Sequence, residues 1–156
     1  MKNQRTQSGF TGRLPRTPRH SAENGGCTLR MKTISAKEMK AVLDHDQEPV
    51  LIVDVRECDE VADAPLLPIG TPYCVNLPLS VLQVLPEREV GMRFEELSGM
   101  AGLQLEQVRV ILSCRSGGRS SRAQEICLRA GIKTENLEGG YLAWQEEKIK
   151  ENEAAR

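Results

Sequence analysis

Two short runs constrain this chain more than anything else in it. Val50-Leu51-Ile52-Val53-Asp54-Val55 and Val108-Arg109-Val110-Ile111-Leu112-Ser113 are nearly continuous in apolar β-branched and leucine residues, with no hydrophobic/polar alternation. A strand of that kind must be covered on both faces, which is the condition of a strand inside a parallel sheet flanked by helices. Helical patterns separate the apolar runs, so the expected class is α/β with a mostly parallel sheet.

The remaining segments fit that frame. Ser35 with Glu38 forms a capping box, followed by Met39, Val42 and Leu43 on one helix face. Residues 64–72 carry three prolines and a glycine and exclude regular structure. Cys74-Val75-Asn76-Leu77 reads as a short strand, and Pro78 opens a turn or helix bearing Leu79, Val81 and Leu82. A polar helical segment is expected around Met92 to Leu97, a helix from Ser120 or Ser121 to Ala130, and a last strand in 134–138. Gly139-Gly140 then turns into a terminal helix carrying Tyr141, Leu142 and Trp144.

Charge divides the chain. Residues 1–30 hold six Lys/Arg and one acid, leaving fifteen basic and twenty-one acidic groups for the rest. With few large apolar groups, 1–30 is expected to be a disordered basic tail. The same composition suits an organelle transit peptide, or a segment upstream of a true start at Met31. The folded domain is expected over 31–150, with a charged C-terminal end at 151–156. A net charge of −1 gives no case for nucleic-acid binding, and no apolar stretch approaches the roughly 20 residues of a membrane span.

The five cysteines (Cys27, Cys58, Cys74, Cys114, Cys127) are odd in number and lack C-x-x-C spacing, which argues for a reducing cytosol over a disulfide framework. With only His20 and His45, no metal site and no Cys–His pair is expected, and no cofactor is called for.

The chemistry concentrates in Cys114-Arg115-Ser116-Gly117-Gly118-Arg119-Ser120. A buried strand delivers Cys114 to its carboxyl end, where open α/β sheets bind ligands. The glycines let successive N–H groups turn inward as an anion nest. The next helix adds its positive end, and Arg115 and Arg119 add two charges suited to an oxyanion. A thiol so placed is expected to be a thiolate at neutral pH. Cys74 and Cys127 read as core. Cys58, at a strand end, is a candidate second thiol. Asp54 and Arg56 read as supporting residues that hold neighbouring loops by ion pairing, Ser120 as a helix cap within reach of a bound sulfur, and Trp144 as core.

The loop resembles the rhodanese pattern C-x-x-G-x-R, as Cys114, Gly117 and Arg119. Asp54-Val55-Arg56-Glu57 is similar to the family's D-V-R-E, Asn76-Leu77-Pro78-Leu79 to its N-I-P-L, and Leu137 to Trp144 to its L-x-G-G-x-x-x-W. The resemblance implies a rhodanese-like fold, a central parallel five-stranded sheet with helices on both faces. It also implies sulfur transfer through a Cys114 persulfide, with thiosulfate or a similar small sulfur donor and a thiol, cyanide or protein acceptor. Residues 67–73 depart from the family's G-H-I-P-G-A and lack its histidine, so donor preference carries over less safely than the nucleophile. Two other readings stay open: a non-enzymatic sulfur-relay or interaction module, and a cysteine phosphatase or arsenate reductase.

Overall fold

The computed structural model describes residues 31–156; the basic stretch 1–30, with Cys27 and His20, lies outside them. Five parallel strands are arranged in the order β1-β5-β4-β2-β3, with β1 at Lys32–Ile34, β2 at Val50–Asp54, β3 at Cys74–Asn76, β4 at Arg109–Ser113 and β5 at Glu135–Leu137. The two apolar runs are the central pair, in register from Val50 with Arg109 to Asp54 with Ser113. Side chains alternate across the pleat. Leu51, Val53, Val110 and Leu112 pack with Leu79, Leu82, Val90, Phe94, Ala123 and Cys127 on one face. Val50, Ile52 and Ile111 pack with Met39, Leu66, Leu137 and Trp144 on the other.

Among the described residues there are six helices, all but α2 contributing to those layers: α1 Ala36–His45, α2 Cys58–Asp63, α3 Leu79–Leu82, α4 Glu87–Met100, α5 Gly118–Arg129 and α6 Gly140–Ala154. The Ser35–Glu38 box opens α1, with the Glu38 N–H donating to Ser35 Oγ at 3.1 Å and the Ser35 N–H to Glu38 Oε2 at 2.9 Å. The helix α6 reaches Ala154, and Lys40 on α1 pairs with its Glu151 at 3.1 Å.

Some boundaries differ from the sequence reading. The helix read at 92–97 spans 87–100, because Pro86 caps its start and Val90 and Phe94, both fully buried, lie on its first two turns. The helix expected from Ser120 or Ser121 begins at Gly118. β1 is a short edge strand in which Ile34 alone is buried. α2 buries no residue, so no apolar period marks it.

After β2 the chain moves to β3 on one side, and after β4 to β5 on the other. The carboxyl ends of β2 and β4 therefore flank a topological switch point, where such sheets form a ligand crevice. Cys114 follows β4 there, and Asp54 to Arg56 follow β2.

Candidate active site

Cys114 leaves β4 into a four-residue turn that ends at Gly117, whose φ of +105° only glycine adopts readily. The turn brings N–H groups on both sides of Gly117 to the cysteine. The Gly117 N–H donates to Cys114 Sγ at 3.0 Å, and Ser120 Oγ on the first turn of α5 lies 3.2 Å from it. Burial pushes the Cys114 thiol up, but the Ser120 hydroxyl and the N–H groups of Ser120, Gly117 and Ser116 together outweigh it and leave the thiol below its ordinary value. Hydrogen bonds to the charged form do this directly. The other thiols go the opposite way. Burial raises Cys127 to about 12 and Cys74 to about 11, the latter helped by Asp54. Cys127 is buried in the core, as expected, whereas Cys74 is half-buried and packs against the edge of it. Cys58 is exposed at the start of α2, beside a cleft it shares with Cys74, Val61 and Ile69.

The Cys114 and Arg115 carbonyls are docked on the start of α6. The Tyr141 N–H donates to Cys114 O at 2.8 Å and the Leu142 N–H to Arg115 O at 3.1 Å. These are two of the donors that a helix start leaves unpaired. The close approach requires Gly140, since a Cβ there would stand 2.4 Å from Cys114 O and 2.8 Å from Arg115 C.

The two loop arginines are not equivalent. Arg115 is exposed and forms no ion pair among the described residues, whereas Arg119 grips Glu60 of α2 through Nη1 and Nη2, at 2.6 and 2.8 Å. Arg119 and the Glu57 N–H hold Glu60 at about 2. The sequence reading gave Arg119 wholly to an anion and missed Glu60, which sits in an acidic stretch that reads as solvated surface. The reading of Ser120 as a cap also changes. Gly117 holds the N-cap position, and Ser120 is buried, bonded to Asn136 Oδ1 at 2.6 Å. Ser116 and Gly118 are exposed on the rim.

Asp54 and Arg56 form a buried brace. Arg56 Nη2 donates to Asp54 Oδ2 and to Ala64 O, each at 2.7 Å, and the guanidinium lies 4.7 Å over the Tyr141 ring. Asn76 Nδ2 donates to the Asp54 and Arg56 carbonyls at 2.9 Å. The brace thus ties β2, β3, the 64–72 segment and α6 together beneath the loop. Among the described residues no group of His, Cys, Asp and Glu is arranged to hold a metal, and no helix is long and apolar enough to cross a membrane.

A wholly parallel sheet with a cysteine anion loop at its switch point defines an α/β protein of the kind expected. The family model described as "Rhodanese-like domain" matches residues 35–147. The chain belongs to the rhodanese-like domain family, in which relatives and structural neighbours are named as sulfurtransferases. It is 30% identical over 119 residues to YtwF of Bacillus subtilis, covering 76% of this chain and 95% of that one. A rhodanese-like domain protein of Staphylococcus aureus is 27% identical with a TM-score of 0.55, over 73% of this chain and 91% of that one. The human single-domain sulfurtransferase TSTD1, 24% identical, shares the fold with a TM-score of 0.55, over 73% of this chain and 95% of that one.

Proposed function

We propose that the protein is a sulfurtransferase that carries sulfane sulfur as a persulfide on Cys114, drawing it from thiosulfate or a similar donor. The single observation that carries this reading is the ring of donors on one buried sulfur: the Gly117 N–H at 3.0 Å, the Ser120 hydroxyl at 3.2 Å, and further loop N–H groups that favour the thiolate. The Cys114 thiolate attacks the outer sulfur of thiosulfate; a new S–S bond forms as the donor's own breaks, and sulfite leaves with that electron pair. An acceptor such as cyanide, another thiol or a partner protein then attacks the outer sulfur of the persulfide, and Cys114 departs as thiolate. No general base is required, because the thiolate is itself the nucleophile. Arg115, unpaired and exposed, meets the donor's sulfonate, and Arg119 shares its charge between the donor and Glu60. Ser116 and Gly118 form the rim. The odd number and scattered spacing of the cysteines favour a reducing compartment, for which we take the cytosol.

Intact mass after incubation with thiosulfate tests this. The expected product gains one sulfur atom, loses it to reductant or cyanide, and is not formed by Cys114→Ser. Loading of another cysteine with Cys114 unchanged overturns the assignment.

A further inference from the structure

Ser120 Oγ has three neighbours that can accept a hydrogen bond and a single proton to offer: Cys114 Sγ at 3.2 Å, Gly117 O at 3.2 Å and Asn136 Oδ1 at 2.6 Å. The Asn136 amide decides where that proton goes. Its Nδ2 lies 3.2 Å from Gly117 O, which can only accept, so the nitrogen must face Gly117 and the oxygen must face Ser120. Oδ1 and Oγ at 2.6 Å are then two oxygens sharing one proton, and Ser120 owns it. With the proton on the Asn136 side, the Oγ lone pairs face the sulfur and receive the Cys114 S–H. The bonds close a circuit: Cys114 S–H to Ser120, Ser120 O–H to Asn136, Asn136 N–H to Gly117 O, and Gly117 N–H back to Cys114 Sγ. Every member is satisfied when the sulfur is a thiol. When the thiol proton leaves to solvent, the Ser120 hydroxyl must swing to the sulfur, and Asn136 Oδ1 loses its donor.

We infer that Asn136 is a positioning residue that holds the Ser120 proton away from the nucleophile, making Ser120 a two-position donor that turns to Cys114 only as the sulfur ionises. The inference rests on Cys114 being the sulfur carrier only for its use in the reaction. The hydrogen-bond competition exists with no donor present.

The other charged and titratable groups around Cys114, Arg115 excepted, are fixed by their own partners. Arg119 on α5, in electrostatic contact with the sulfur and with Asp54, is locked to Glu60 on α2. Asp54 and Arg56 after β2 hold each other, and Tyr141 on α6 lies against Arg56. Arg115 is exposed. Glu135 on β5 and Glu138 just past its end accept from Arg109 and Thr33.

The test is the pH dependence of Cys114 alkylation by iodoacetamide in the full chain, followed at the Cys114 peptide by mass spectrometry with no sulfur donor present. Asn136→Leu is expected to move the midpoint to lower pH by about half to one unit, the worth of one hydrogen bond released to the thiolate. Ser120→Ala is expected to move it to higher pH, and the double variant to match Ser120→Ala. A merely structural role would loosen the loop and raise the midpoint in both single variants. That result, or no change in Asn136→Leu, overturns the inference. If Asn136→Leu fails to fold, the infrared S–H stretch of Cys114 decides, assigned by difference against Cys114→Ser below the midpoint. A stretch at lower frequency in the wild type than in Ser120→Ala supports the circuit, and equal frequencies overturn it. Thiosulfate loading is measured separately, so loss of the sulfur-carrier reading and loss of this inference give different results.

Discussion

Arg119 and Glu60 face each other fork to fork across the loop and α2, with Nη1 2.6 Å from Oε2 and Nη2 2.8 Å from Oε1. The Glu57 N–H fixes Glu60 from behind at 3.0 Å. A carboxylate is thus held against one of the two loop arginines. Glu60 is held at about 2, so it stays charged at neutral pH and is expected to repel the anionic donor proposed above. Glu60→Gln is expected to lower the thiosulfate KM on the order of three- to tenfold, since a partly exposed charge is worth about 1 kcal/mol, while Arg119→Ala raises it. A higher KM in Glu60→Gln, measured by steady-state thiosulfate:cyanide transfer, would show that the carboxylate aims the arginine more than it competes with the donor.

Cysteine selectivity has a pH signature. A thiol held below its ordinary value is more ionised at any pH up to the ordinary range, so Cys114 reacts first as pH rises. Burial keeps Cys74 and Cys127, at about 11 and 12, protonated and slow. Peptide-resolved alkylation from acid to neutral pH should label Cys114 well ahead of those two. Single replacement of Cys58, Cys74 or Cys127 should leave most sulfur transfer intact, whereas Cys114→Ser removes it. An active Cys114→Ser would displace the nucleophile from this loop.

Gly140 is the point where α6 meets the loop. Its φ of +55° and the 2.4 Å a Cβ would leave to Cys114 O mean that Gly140→Ala must push the Cys114–Arg115 peptide. An error of about 1 Å in placing a nucleophile can cost on the order of a hundredfold. Sulfur transfer is therefore expected to fall by at least tenfold, with the fold retained by circular dichroism. Gly91→Ala, on α4 with open space around it, serves as the control and should be unaffected. Equal activity in the two variants would mean the loop is free to yield.

The brace beneath the loop makes a stability prediction. Asp54 and Arg56 are 2% and 3% exposed, and removing one partner leaves the other's charge buried, at a cost of about 3–5 kcal/mol. Asp54→Leu or Arg56→Met alone should lower Tm by on the order of 10 °C. The double variant should recover part of that loss, which a thermal-melt cycle reads directly. Losses that simply add in the double variant would show that the bonds of Arg56 to Ala64 O and the Tyr141 ring matter more than the charge pair.

What could be read from sequence tracks how strongly each residue's neighbours in the chain dictate its role. β2 and β4 were legible because a strand buried on both faces has no room for polar side chains. Cys114 was legible because glycines and arginines crowd one turn. β1 was not read from its own residues, with Ile34 its only buried position, and the fifth strand came from the family resemblance alone. Glu60 lies 59 residues from Arg119 and Asn136 16 from Ser120, so their partners exist only once the sheet has formed. The thiolate's stabilisation, read from the loop N–H nest, the helix end and the two arginines together, comes first from the Ser120 hydroxyl and then from the loop N–H groups.

The last prediction separates sulfur from phosphorus chemistry and rests on loop length. The phosphatase and arsenate-reductase reading needs an arginine six residues after the cysteine, as in the C-x5-R loop. Here Arg119 is five after Cys114, and the sixth position is Ser120. In this loop that serine is already committed, buried against Asn136 and 3.2 Å from the sulfur, and Arg119 is tied back to Glu60. The space over Cys114 therefore lacks a free guanidinium at the position where three equatorial phosphoryl oxygens would need one, and its near donor is the Gly117 N–H, 3.0 Å from Sγ. Such a cup suits one added sulfur atom better than a trigonal-bipyramidal transition state. The expected outcome is measurable thiosulfate:cyanide transfer with only trace hydrolysis of aryl phosphates. Insertion of one residue between Gly118 and Arg119 should depress sulfur transfer by tenfold or more, through the same sensitivity to placement. Robust phosphatase turnover by the unaltered chain, with no sulfur loaded on Cys114, would reverse the assignment of chemistry to this loop.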